Sequence, residues 1–117
     1  MLLSCEDHGP ILVLTVLKAR IDSQSAMEFK AEAREFLSTG DQDCALDLSR
    51  VSFADSSGIG ALVALLKFMG RDRKLELCGM NPAVAKVMRL TRLDTVFISH
   101  DSVKSALANR GLSATGT

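Results

Sequence analysis

Cys44-Ala45-Leu46-Asp47-Leu48, then Asp55-Ser56-Ser57-Gly58, then an apolar run from Ile59 to Met69 closed by Gly70: this stretch decides the fold. The first segment is short and mostly apolar, as a buried strand is. The last carries Ala61, Leu62, Val63, Ala64, Leu65, Leu66 and Phe68 with hardly a polar face. A helix patterned in this way must be largely buried, which calls for a sheet to pack on. A strand leading at once into such a helix is half of a parallel β-α-β unit.

The rest of the chain extends the pattern in both directions. Residues 2–5 and 11–17 are apolar runs split by Glu6-Asp7-His8-Gly9-Pro10, which predicts a hairpin. The second run hardly alternates, so both its faces should be covered. Residues 18–21 lead out of it. Ala26, Phe29, Ala33, Phe36 and Leu37 then recur at helical spacing, with Glu28, Lys30, Glu32, Arg34 and Glu35 on the other faces. Ser25 with Glu28 fits a capping box, and Gly40 is placed to stop the helix. Beyond Gly70, Leu75-Glu76-Leu77-Cys78 reads as an alternating strand. Asn81-Pro82 reads as a cap followed by proline at the first helical position. Val84, Val87 and Met88 carry that helix's stripe, residues 96–98 form the last strand, and Asp101 caps a final helix with Val103, Ala106 and Leu107 inward. The order β-β-α-β-α-β-α-β-α predicts an α/β domain over residues 1–112, with a tail at 113–117. Its sheet should be mixed and mostly parallel, about five strands with four helices in a single layered domain.

Composition bounds the function. A chain of 117 residues with 47% hydrophobic and 24% charged side chains is one ordered domain. Fourteen Lys+Arg balance fourteen Asp+Glu, so a general nucleic-acid binder is excluded, and without Trp or Tyr there is no stacking platform for bases. The balance conceals an asymmetry. Residues 1–57 hold ten acids against five bases; residues 58–117 hold four against nine, mainly at Arg71, Arg73, Lys74, Lys86, Arg89 and Arg92. Such a field steers partner encounter. The longest apolar run is too short to span a bilayer, and no secretory pattern opens the chain. Cys5, Cys44 and Cys78 are scattered and odd in number, as small hydrophobes of a reducing compartment are. The expectation is a cytoplasmic domain with no cofactor, no metal site and no membrane contact.

Little in the chain suggests catalysis. His8 and His100 lie far apart in turns, and Asp55-Ser56-Ser57-Gly58-Ile59-Gly60 lacks the spacing of a nucleophile elbow. Gly58 and Gly60 are not joined by a third glycine or a Walker lysine. No acidic pair follows the strand at 11–17, as a phosphoryl-accepting receiver would need. What remains is the junction at Asp55, Ser56 and Ser57, three short polar residues where one suffices to cap a helix. Gly58 and Gly60 strip the first turn of bulk, so a hydroxyl held there can be reached by another protein's active site.

At these residues the sequence resembles the STAS domain of bacterial anti-sigma factor antagonists. The resemblance runs from the strand at residue 11 to the last helix. It is most specific at Leu46-Asp47-Leu48-Ser49, Phe53 and Asp55-Ser56-Ser57-Gly58-Ile59-Gly60, with support from Arg20-Ile21-Asp22 and Asn81-Pro82-Ala83-Val84. It implies a phosphorylation-switched exchange of partners. The unmodified domain would bind an anti-sigma factor that is itself a serine kinase, releasing a sigma factor. Phosphorylation of Ser57 would end the complex, and a metal-dependent serine/threonine phosphatase would reset it. Asp22, Asp55 and Ser56 would flank the docking face, with Gly58 and Ile59 touching the partner. The chain would then be a substrate and ligand, monomeric when free, and no enzyme. A STAS subunit of a stressosome-type scaffold or of a lipid-transporter complex is the alternative role.

Overall fold

The computed structural model describes residues 1–112; the expected tail at 113–117 lies outside the described residues. Strands β1 (Leu3–Asp7) and β2 (Ile11–Val16) form the hairpin. Its turn places Gly9 at φ 85°, where a side chain would be strained, and the Asp7 carboxylate accepts from the Gly9 N–H at 2.9 Å. The chain continues through β3 (Arg20–Ile21), α1 (Ala26–Leu37), β4 (Asp43–Asp47), β5 (Phe53–Ala54) and α2 (Ser56–Met69). It closes with β6 (Leu75–Cys78), α3 (Pro82–Leu90), a 3-10 turn at Leu93–Thr95, β7 (Ile98–His100) and α4 (Val103–Ala108).

The main sheet has five strands in the order β1-β2-β4-β6-β7, antiparallel only between β1 and β2. Both faces of β2 are covered, as its unbroken apolar run requires. Leu12 and Leu14 join Leu46, Leu75 and Leu77 under α1, α2 and α3, whereas Ile11 and Val13 join Ala45 and Cys78 under Ala106 and Leu107 of α4. The mixed α/β architecture with four helices matches the expectation.

The details differ in instructive places. β3 and β5, read from sequence as connections, pair in parallel as a separate two-stranded sheet. Two residues carry no periodicity, so no pattern announces them. The last strand begins two residues later than expected. Arg92 takes a left-handed conformation (φ 61°), the 3-10 turn follows, and the Phe97 N–H donates to the Leu93 carbonyl at 3.1 Å. α1 ends at Leu37, before Gly40; the Ser38 and Thr39 hydroxyls donate back to the carbonyls of Arg34 and Phe36. α4 is capped by Ser102, not Asp101: the Ser102 hydroxyl accepts from the Ser105 N–H at 3.0 Å. Finally, all four residues of β6 are buried, Glu76 included. An alternating strand would expose it. Here α4 covers that face, and Arg110 and His100 donate to the Glu76 carboxylate, His100 Nε2 at 2.6 Å.

Candidate functional site

The minor sheet is what assembles the site. Pairing Arg20 with Phe53 and Ile21 with Ala54 sets the loop after β3 against the loop before α2. The Asp55 N–H donates to the Ile21 carbonyl at 3.3 Å, continuing that contact. Of the three candidate caps, Asp55 holds the position. One carboxylate oxygen accepts from the Gly58 N–H at 3.0 Å, and the other accepts from the Ser23 N–H at 3.1 Å. A single side chain thus caps α2 and ties the two loops together.

Because Asp55 does this work, both serines are left over. Ser56 and Ser57 are exposed, and among the described residues neither hydroxyl is hydrogen-bonded. Gly58 and Ile59 are placed differently, since both are buried. A β-carbon on Gly58 would stand 2.1 Å from the Ile21 carbonyl oxygen, so glycine is demanded by close approach of β3 to α2. Ile59 is part of the main core.

Asp22 lies in the facing loop, half-buried. Its carboxylate accepts from the Gln24 N–H at 3.1 Å, the Ser25 hydroxyl at 3.3 Å and Arg20 Nε at 3.3 Å. Desolvation pushes this carboxyl up, but the hydrogen bonds from Arg20, Gln24 and Ser25 outweigh it and hold the group below the ordinary aspartate value. The capping box expected at Ser25 and Glu28 does not form at Ser25: its hydroxyl is turned to Asp22, accepting from the Asp22 N–H at 3.1 Å, and makes no cap hydrogen bond to α1. Arg20 lies over the Phe53 ring, 4.3 Å from its centroid, and Phe53 is 41% exposed.

Between α1 and α2 an open cavity of about 350 Å³ adjoins Ser57; Ser23, Ala26, Met27, Lys30, Gly60 and Ala61 complete its lining. Sequence reading left Met27 and Lys30 out of the site, although their helical offset from Ala26 puts them on its flanks. The paired loops therefore bring Asp22 and Asp55 to the surface that carries Ser56 and Ser57. Neither histidine belongs to it: His8 is held by Glu6 and His100 by Glu76.

Residues 7–99, which include the whole site, match the family described as Mlab, STAS domain. The chain belongs to the STAS-domain family. Solved structures agree. An anti-sigma factor antagonist from Mycobacterium paratuberculosis is 25% identical with a TM-score of 0.81, over 92% of this chain and 91% of that one. A STAS domain protein from Planctomyces limnophilus reaches a TM-score of 0.85 at 19% identity, over 93% and 97% of the two chains. The anti-sigma factor antagonist SpoIIAA in its unphosphorylated form gives 0.68 at 18% identity, over 93% and 96%. The last two share the fold. Among the described residues, no helix is long and apolar enough to cross a membrane.

Proposed function

We propose that this STAS domain is an anti-sigma factor antagonist whose Ser57 is the phosphoacceptor of a partner-switching exchange. Unmodified, it binds an anti-sigma factor with serine-kinase activity through the surface around Asp22, Asp55 and Ser56, and so frees a sigma factor in the cytoplasm. The kinase transfers the γ-phosphoryl group of ATP to Ser57 Oγ; the serine proton leaves to the kinase and ADP departs. A metal-dependent serine/threonine phosphatase hydrolyses the ester and restores the antagonist. The chain contributes a ligand surface and a substrate hydroxyl, and no catalytic group.

The observation that carries this reading is the exposed, uncommitted Ser57 hydroxyl on the first turn of α2, left free because Asp55 alone caps the helix. A phosphate adds about 1.5 to 2 negative charges at pH 7. The helix N-terminus tolerates that charge, so the fold persists. Docking does not tolerate it, since a partner must then desolvate the dianion beside Asp22 and Asp55. SpoIIAA, which shares the fold, is solved in a phosphorylated form as well as an unphosphorylated one.

Incubation with the cognate kinase and ATP, followed by peptide mass mapping, tests the acceptor. One phosphate should appear at Ser57 and none on Ser57→Ala, which still binds the kinase. Modification of Ser57→Ala at full stoichiometry would transfer the role to Ser56. The matched family's description names Mlab and no sigma-factor regulator, which favours a second reading: a STAS subunit of a stressosome-type scaffold or of a lipid-transporter complex. Such a subunit copurifies in a permanent assembly, whereas the antagonist runs as a monomer on size exclusion.

A further inference from the structure

The flank of α1 that faces α2 is basic, and among the described residues neither of its cations, Lys30 and Arg34, makes an ion pair. Arg34 lies over the Phe68 ring of α2, 4.9 Å from the centroid, which fixes that flank as the one turned toward α2. Lys30 stands one helical turn earlier on the same flank, half-buried, lining the cavity beside Ser57. The acidic side chains of α1 are elsewhere: Glu28, Glu32 and Glu35 line a separate groove with Met1, Phe36 and Thr39. The two carboxylates of the site are already engaged. Asp55 accepts from two backbone N–H groups, and Asp22 holds Arg20, Gln24 and Ser25. Among the described residues Lys30 makes no ion pair. Gly60 and Ala61 keep the floor of the cavity low, so its volume of about 350 Å³ has room for a phosphoryl group.

We propose that the cavity between α1 and α2 is the receptor for the phosphoryl group of Ser57, with Lys30 as its counter-cation. Phosphorylation then acts twice on the docking face, adding charge and filling the groove beside Met27. Lys30 is a positioning residue for the modified state and has no part in the transfer itself. The inference rests on Ser57 being the phosphoacceptor, yet it can be tested without any kinase.

Phosphoserine is installed at position 57 of the full chain by genetic encoding, and the phosphorus resonance is titrated from pH 4 to 8. Asp22, Asp55, Arg20 and Lys30 are the charged groups around it. The second phosphate ionisation, ordinarily near ~6, is expected to rise by about half a unit in Lys30→Met and Lys30→Gln relative to the parent, the size of a half-exposed ion pair. Lys30→Arg should titrate with the parent, and high salt should shrink the difference. Coincident titrations in the parent and both neutral variants would overturn the proposal. The reading of Ser57 as a switch fails by a separate result: phosphoserine-57 protein binding the anti-sigma factor as tightly as unmodified protein.

Discussion

Asp55 and Gly58 show how much of the site depends on single atoms. Asp55 uses both carboxylate oxygens on backbone N–H groups of different loops. Asp55→Ala should lower the free energy of unfolding by about 1 to 2 kcal/mol, as loss of a strong cap does, in urea titration. Gly58→Ala should cost more, about 2 to 3 kcal/mol, because the added methyl meets a backbone carbonyl that cannot rotate away. An unchanged midpoint for Gly58→Ala would show that β3 is not pressed against α2. Asp22 makes a pH-dependent contribution. Its folded-state value is depressed, so its stabilisation is complete above the unfolded value of about 3.9 and fades as pH falls through the lower folded value. Asp22→Asn should therefore lower stability near pH 7 and flatten the acid limb, the two profiles converging as pH falls below the folded value.

At the scale of elements, legibility followed periodicity. The apolar run of α2, the stripes of α1 and α3 and the unbroken β2 each span enough residues to show a period, and each was placed from sequence. β3 and β5 span two residues apiece and show none, although they are what brings Asp22 to Asp55. The neighbourhood of Asp55, Ser56 and Ser57 was legible as a polar junction, but which residue caps α2 was not. That depends on Ser23, a residue on another loop. The burial of Glu76 is hidden from sequence for a similar reason, since its partners Arg110 and His100 arrive from the turn after α4 and from β7. Arg110 also donates to Asp43 at 2.7 Å, so one side chain pins the turn after α4 across β4 and β6. Arg110→Met should destabilise the domain by about 1 to 3 kcal/mol, since the buried Glu76 carboxylate loses one donor and keeps His100. Adding Glu76→Leu to that variant should restore most of the loss in thermal melts.

Across the whole molecule, two separate apolar clusters sandwich the sheet. The thiol of Cys78, pushed up to about 12 by burial first and by Glu76 and Asp47 next, is a reporter of the core. It should resist alkylation at pH 8 equally in the unmodified and phosphorylated forms. The central claim is that charge at Ser57 abolishes docking without unfolding the domain. Titration calorimetry of the anti-sigma factor against unmodified and phosphoserine-57 protein measures it directly. The account predicts affinity at least ~100-fold weaker for the modified form, about 2.7 kcal/mol, with identical circular dichroism; equal affinities for the two forms would contradict it.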